Sequence, residues 1–152
     1  MTSKTPEIVV TDQPDPNDRD AIVKPLIAFN TDVFGPSAFR PLAVLLRDPE
    51  TGETTGGLWA KSSYDWLYVE LLYVPEELRG RGVGGRLMQR AEDEALARGC
   101  AGVWLDTFGF QARAFYEKRG YVAFGELPDH PRGSGRYFMK RTLKTEPSDP
   151  QM

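Results

Sequence analysis

Residues 74–95 read VPEELRGRGVGGRLMQRAEDEA and join an apolar, strand-like run to a longer run with helical spacing. Four glycines fall within residues 80–85, more than a turn that only caps a helix would need. Glycine lets the backbone approach a ligand closely, and the first turn of a helix offers free N–H groups and the positive end of its dipole. The pattern therefore predicts a cradle for an anion such as a pyrophosphate, at a helix that begins near Gly82.

The same glycines can be compared with two known nucleotide-binding patterns. Gly80, Gly82 and Gly85 spell G-x-G-x-x-G, and Asp106 lies about 20 residues further on, as in a dinucleotide-binding turn. However, residues 75–79 separate the strand from the first glycine, and the chain after Asp106 is too short for a second mononucleotide-binding half. A P-loop is excluded because no Gly-Lys-Ser/Thr is present. The dinucleotide interpretation therefore remains open but disfavoured.

The composition is that of one ordinary globular domain. The chain has 152 residues, 40% of them hydrophobic and 27% charged, which predicts a single domain over residues 1–143 and a flexible tail over residues 144–152. The formal net charge of -3 disfavours a protein that mainly neutralises nucleic-acid phosphates. One cysteine and one histidine leave no ligand set for zinc, and we expect no metal. Without a leader pattern or an apolar run of about 18 residues, the sequence predicts a cytoplasmic protein with no membrane span.

Hydrophobic periodicity predicts an alternation of strands and helices. Residues 20–34 have helical apolar spacing, and Pro25 within them indicates a break or kink. The helix after the glycines has the clearest apolar face, with Gly99 at its C-terminal cap. The predicted order is β-α-β-β-β-α-β-α-β-β, with strands at residues 7–10, 39–48, 54–63, 65–74, 101–108, 121–127 and 135–143 and helices at residues 20–34, 82–98 and 110–119.

Two segments resemble the motifs of the GNAT acetyltransferase superfamily. VPEELRGRGVGGRLM is similar to its acyl-CoA-binding motif, Arg/Gln-x-x-Gly-x-Gly/Ala, with Arg79, Gly82 and Gly84 at the defining positions. FQARAFYEKRGYVAFGEL is similar to its second motif, in which an Ala-x-x-x-Tyr helix ends in Gly-aromatic. Together with the order of elements, the resemblance covers about residues 8–143. The second motif is filled by Ala112, Tyr116, Gly120 and Tyr121.

One position departs from the family pattern. The family often has an asparagine seven residues before the tyrosine, and this chain has Gly109 there. Any contribution of that side chain must be absent here or must come from a neighbour such as Gln111.

The resemblance implies both a fold and an activity. The fold is a mixed α/β fold in which a mostly antiparallel sheet splays apart between two parallel strands and is flanked by helices. The activity is direct transfer of an acetyl group from acetyl-CoA to a primary amine, which we expect to belong to a small molecule. A homodimer formed through the closing strands is compatible with the sequence. The alternative is a non-catalytic module of the same fold that binds or senses acyl-CoA.

Direct transfer requires a base for the amine and a proton donor for the leaving thiolate, because an alkylammonium is not nucleophilic at neutral pH. Trp66, Tyr68, Glu70 and Leu72 alternate onto one face of a predicted strand, so Glu70 is the best-placed base, directly or through water. A solvated or ion-paired glutamate is the alternative. Tyr116 occupies the family position of the donor, and the alternative is a tyrosine that is simply packed.

The resemblance also implies the residues that hold the cofactor. A backbone amide near Leu72 or Tyr73 is expected to polarise the thioester carbonyl. Asp106 and Thr107 follow in the neighbouring strand and either touch the substrate or cap the next turn, with the cap slightly favoured. The predicted cofactor-binding residues are Leu72, Tyr73, Val74, Leu78, Arg79, Gly80, Arg81, Gly82, Val83, Gly84, Gly85, Arg86, Gln111, Ala112, Phe115 and Tyr116.

Overall fold

The structure, a computed structural model, describes residues 4–143, so the predicted tail at residues 144–152 lies outside the described residues. The chain divides into two compact units, Met1–Ser37 and Ala38–Met152. The single domain predicted over residues 1–143 stays a prediction. None of the helices in residues 4–143 combines the length and the apolarity that a membrane crossing requires.

The first unit contains the helix α1 (Pro16–Val33). Asp15 caps it, because its carboxylate accepts the N–H of Asn17 over 2.8 Å while its own N–H donates to the Asp18 carboxylate over 2.9 Å. The helix runs through Pro25 without ending, so a break at Pro25 is wrong, and a kink there stays a prediction. The strand predicted at residues 7–10 is also wrong, because these residues pair with no other strand among the described residues. A strand needs a partner, and a local run of apolar residues cannot supply one.

In the second unit the described residues form a six-stranded sheet with the order β1-β2-β3-β4-β6-β5. Neighbouring strands are antiparallel except β3 and β4, which are parallel. This confirms the predicted mixed α/β fold with a mostly antiparallel sheet. The strands are β1 (Arg40–Arg47), β2 (Thr54–Ser63), β3 (Trp66–Tyr73), β4 (Gly102–Phe108), β5 (Val122–Pro128) and β6 (Gly135–Thr142).

Two helices of the second unit, α2 (Val83–Ala97) and α3 (Arg113–Lys118), contribute buried residues to the same core as the sheet. The buried face of α2 carries Leu87, Met88, Ala91 and Ala95, which have the helical spacing seen in the sequence. Burying each large apolar side chain contributes roughly 1.5–3 kcal/mol, so this face fixes α2 in the core. The strand residues in the same core include Leu67, Val69, Val103, Leu105 and Met139.

A β-bulge and a split in the sheet lie next to α2. Along β2, Trp59 pairs with Leu71 and Ala60 pairs with Val69, so Glu70 is one extra residue on β3. The parallel pairing of β3 with β4 also ends at Val69, whose partner is Leu105. Beyond this point the two parallel strands separate. The splayed strands predicted from the family resemblance are therefore present.

Candidate functional site

The glycine-rich turn lies at the N-terminus of α2. Gly80 and Gly82 have φ angles of +78° and +76°, and a Cβ at either position would meet no atom within 4 Å. The left-handed backbone, and not a lack of space, therefore requires glycine there. The first helical hydrogen bond joins Arg86 N–H to the Gly82 carbonyl over 3.1 Å. The amides of Val83 and Gly84 precede it and have no partner inside the helix, which suits them to bind an anion.

The arginines of this turn have two different environments. Arg79 Nε donates to the Val74 carbonyl over 2.9 Å, and its guanidinium lies 5.7 Å from the centre of the Tyr73 ring. Arg79 therefore closes the loop that precedes α2. Arg81 and Arg86 are exposed and form no ion pair with any residue in 4–143. Both remain available to a phosphate group.

The start of α2 contacts the helix that carries Tyr116. A Cβ on Gly84 would lie 3.4 Å from the Phe115 ring and 3.8 Å from Val74, so the start of α2 packs closely against both side chains. A Cβ on Gly85 would lie 3.5 Å from Arg119 Nη1, which is an ordinary contact. The structure thus brings together the two segments that carry the family motifs.

Tyr116 lies in α3, which covers only Arg113–Lys118 and is shorter than the predicted helix at residues 110–119. The side chain is 7% exposed, and its ring contacts the rings of Phe115 and Tyr121 with centroid distances of 5.1 and 5.8 Å. Burial, together with the negative charge of Asp106, raises the pKa of Tyr116 to about 12. Its phenol therefore stays neutral over the whole physiological range.

A buried ion cluster that the sequence reasoning missed joins α2 to the end of α3. Glu92 is 2% exposed, and its Oε1 lies 2.6 Å from Arg119 Nη2 and 3.1 Å from Arg141 Nη1. The Tyr121 hydroxyl donates to Glu92 Oε2 over 2.7 Å. A signal was present in the sequence, because Glu92 lies four residues after Met88 and therefore falls on the apolar face of α2.

Glu70 is exposed and forms no ion pair with any residue in the described part of the chain. Burial and the hydrogen bond to Asp106 raise the pKa of Tyr68, and the negative charge of Glu70 adds to this shift. The predicted alternation fails at the bulge, because Leu72 packs against the core instead of sharing a face with Tyr68. The extra residue shifts the period of the strand by one.

At the end of β4, Asp106 does not cap the following turn as the sequence favoured, whereas the Thr107 hydroxyl does bond within that turn, to Gln111 Oε1 over 3.3 Å. Asp106 Oδ2 accepts the Tyr68 hydroxyl hydrogen over 3.0 Å, and Asp106 Oδ1 lies 2.8 Å from Arg136 Nη2. The following turn is closed instead by Gln111, whose Oε1 accepts the Phe108 N–H over 2.9 Å. Arg136 was missed because only the register of β6 against β4 brings it to Asp106.

Gly109 occupies a crowded position. A Cβ there would lie 3.1 Å from Ser134 Oγ and 3.2 Å from the Tyr137 ring. An asparagine would therefore require its neighbours to move. Gln111 is the suggested substitute, but its side-chain oxygen is engaged in the turn by the Phe108 N–H and, over 3.3 Å, by the Thr107 hydroxyl.

The remaining predicted cofactor residues differ in their exposure. Tyr73 is 57% exposed. A cavity of about 350 Å³ lies on the face of the sheet opposite the core and is lined by Trp66, Trp104, Phe124 and Lys140. Residues 4–143 contain no group of three or more His, Cys, Asp or Glu side chains that could hold a metal ion. Packed against the core are Leu72, Val74, Leu78, Ala112 and Phe115.

Comparisons with known proteins agree with this geometry. The family model described as Acetyltransferase (GNAT) family matches residues 13–121. Acetyltransferase Atu2258 of Agrobacterium fabrum is 40% identical over 128 residues, which is 84% of this chain and 91% of that protein. Blasticidin-S acetyltransferase of Streptomyces morookaense is 40% identical over 95 residues, covering 62% of this chain and 70% of that protein. A crystal structure assigned as an acetyltransferase from Agrobacterium tumefaciens has a TM-score of 0.86 at 36% identity, covering 90% of this chain and 99% of that one.

Proposed function

This chain belongs to the GNAT acetyltransferase family, and we propose that it transfers an acetyl group directly to a primary amine of a small molecule in a ternary complex. It is an N-acetyltransferase, and acetyl-CoA is its acetyl donor. The observation that carries the proposal is the bulge at Glu70, where the pairing of β3 with β4 ends. A pantetheine arm would lie in the split, with its pyrophosphate on the amides of the α2 N-terminus.

The chemistry follows from the residues at the split. The amine loses a proton to Glu70 or to water, and its nitrogen attacks the thioester carbonyl carbon. A backbone amide near Leu72 or Tyr73 would donate a hydrogen bond to the oxygen on which negative charge develops. The bond from carbon to sulfur then breaks and releases CoA as a thiolate, which takes up a proton to give the free thiol.

The raised pKa changes the role proposed for Tyr116. A phenol with a pKa of about 12 is a weaker acid than a thiol, whose ordinary pKa is near 8.5. Complete proton transfer from Tyr116 to the thiolate is therefore uphill. We assign Tyr116 the role of a hydrogen-bond donor that stabilises the developing thiolate, and the nitrogen supplies the proton that balances the reaction.

The acceptor is proposed to be a small molecule because the similarity to a blasticidin-S acetyltransferase supports an amine-bearing small molecule of some kind. A cytoplasmic location and a homodimer through the closing strands remain predictions.

Two measurements test the proposed function. Isothermal titration with acetyl-CoA and separately with NAD should give micromolar binding of acetyl-CoA and no response to NAD. Thiol release is then followed with a panel of blasticidin S, spermidine, phenethylamine and propylamine, and at least one should give release that depends on the amine. Binding without release would favour the acyl-CoA-binding module, and preference for NAD would contradict the family assignment of the glycine cradle.

A further inference from the structure

A hydrogen bond crosses the sheet where β3 and β4 begin to separate. Tyr68 precedes Val69, the last residue of β3 in the parallel ladder, and Asp106 follows Leu105, the last residue of β4 in it. The Tyr68 hydroxyl donates to Asp106 Oδ2 over 3.0 Å. Because side chains alternate along a strand and Val69 and Leu105 are buried in the core, Tyr68 and Asp106 lie on the opposite face. They therefore meet at the inner end of the split, on its exposed side.

Arg136 fixes the position of the Asp106 carboxylate. Its Nε and Nη2 donate to Asp106 Oδ1 over 3.1 and 2.8 Å, which leaves Oδ2 for Tyr68. The guanidinium also lies 5.5 Å from the ring centres of both Phe108 and Phe138, within the range of a cation–π contact. The direction in which the carboxylate points is thus set by residues of β4 and β6.

The Tyr68 hydroxyl can still accept a hydrogen bond but has no hydrogen left to donate. Its hydrogen is engaged by Asp106, so its oxygen can only accept a further hydrogen bond. Its ring is held by stacking on Trp104, with the ring centres 4.2 Å apart and the planes inclined by 25°. Burial and the hydrogen bond to Asp106 raise the pKa of Tyr68, so the phenol keeps its hydrogen. An ammonium or amine N–H matches such an oxygen, because it donates.

The predicted base lies close to this pair along β3. Glu70 follows Val69, the residue at which the pairing of β3 with β4 ends, and is two positions after Tyr68. The pKa of Tyr116 is raised mainly by burial and also by the negative charge of Asp106. A nitrogen bound at the Tyr68 oxygen would be near Glu70 and beside the split that is proposed to hold the thioester.

We propose that Tyr68 binds the acceptor amine, whose N–H donates to Tyr68 Oη, and that Asp106 and Arg136 position this oxygen by holding its hydrogen on the other side. The inference rests on the proposed function, because it assigns a binding residue for the acceptor of that reaction. Tyr68 touches the substrate, whereas Asp106 and Arg136 act through Tyr68.

The central test is Tyr68→Phe, which removes the oxygen but keeps the ring that stacks on Trp104 and the pair between Asp106 and Arg136. Steady-state kinetics use whichever amine of the panel gives the highest kcat/KM with the native protein. We expect kcat/KM for that amine to fall roughly 10–100-fold, mainly through a higher KM, because a hydrogen bond to a charged group is lost. The KM for acetyl-CoA should change by less than about twofold.

A second variant, Asp106→Asn, tests the positioning role. An asparagine amide can donate to Tyr68 Oη and occupy the oxygen that would receive the amine. We expect kcat/KM for the same amine to fall. The double variant Tyr68→Phe/Asp106→Asn should be no worse than the more severe single variant, because both changes act on one oxygen. Thermal unfolding of each variant separates this effect from loss of structure.

The matched control is Tyr137→Phe, which removes a phenolic oxygen from a ring that packs against the core. It should leave the amine KM unchanged. An unchanged amine KM in Tyr68→Phe would overturn the inference while acetyl transfer itself stands. If the losses of the two single variants add in the double variant, Asp106 does not act through Tyr68. A native protein that binds acetyl-CoA and acetylates no amine of the panel would contradict the proposed function, and this inference with it.

Discussion

Glu92 Oε1 lies 2.6 Å from Arg119 Nη2, so a buried carboxylate on α2 holds the residue at the C-terminal end of α3. Because α2 begins at the glycine cradle and α3 carries Tyr116, this ion pair joins the segment that is proposed to bind the pyrophosphate to the segment that is proposed to face the sulfur. Arg141 completes the cluster from β6. The two family motifs are therefore connected through Glu92, which lies beyond the first motif and pairs with Arg119 inside the second.

Glu92→Gln should destabilise the fold by about 3–5 kcal/mol, because two partly buried guanidinium groups lose their counter-charge. Urea unfolding monitored by tryptophan fluorescence measures the change. Glu117→Gln on α3 is the control, since its partner Arg113 pairs with it in an exposed i,i+4 arrangement and we expect a loss below about 1 kcal/mol. Equal losses in the two variants would show that the buried cluster adds nothing to stability.

Tyr116→Phe should lower kcat about 10–100-fold and leave the KM for acetyl-CoA almost unchanged, because the phenol is proposed to act only when charge develops on sulfur. Since the pKa of Tyr116 is about 12, the native enzyme should also show no loss of kcat from ionisation of Tyr116 below about pH 11. Both are measured by thiol release with the best amine of the panel. A variant with native kcat would leave Tyr116 as a packing residue.

Alkaline stability should depend on Tyr116. Its pKa in the folded protein is about 12, above the ordinary value of about 10 for an unfolded tyrosine, so its contribution is complete below pH 10 and is lost as the pH rises towards 12. Two pH units correspond to at most about 3 kcal/mol. Urea unfolding between pH 9 and 11 should show a smaller decline for Tyr116→Phe than for the native protein. The exposed Tyr73→Phe should retain the native decline, and equal declines in all three proteins would contradict the prediction.

Gly84→Val should weaken acetyl-CoA binding at least about tenfold, because a side chain there would press on the Phe115 ring and crowd the amides at the start of α2. Isothermal titration gives the dissociation constant. Gly125→Ala in β5 is the control, since its added Cβ would make only ordinary contacts with Phe138 at 3.7 Å or more. Native affinity in Gly84→Val would mean that the cofactor does not approach this turn.

Glu70→Gln should lower kcat about 100-fold if the carboxylate accepts the proton of the amine, directly or through water. Unfolding in urea should be nearly native, because Glu70 is exposed and forms no ion pair among residues 4–143. Glu126→Gln, an exposed glutamate on β5, serves as the control. If kcat is unchanged in Glu70→Gln, water alone accepts the proton.

Local patterns were sufficient for some of these features. The glycine cradle, Gly99 at the end of α2 and the buried face of α2 depend on residues close together in sequence, and each was predicted. The family resemblance added the splayed strands and the place of Tyr116. These features need only spacing and backbone conformation.

Features that depend on distant pairing were missed. The partner of Asp106 is fixed by the register of β6 against β4, which brings up Arg136. The failed strand at residues 7–10 and the wrong face for Leu72 have the same origin, since pairing and bulges are set by neighbouring strands. Glu92 was overlooked although its place on the apolar face of α2 was visible, because its partners come from elsewhere in the chain.

The bulge at Glu70 depends on the number of residues in β3, which no side-chain substitution changes. With one residue fewer, β3 would pair with β2 in a single register from Trp66 to Tyr73. Without the bulge, nothing within β3 would make this strand diverge from β4. Deletion of residue 70 should therefore lower activity more than any substitution at that position. A related chain that lacks this residue would keep the fold but lose the split between β3 and β4.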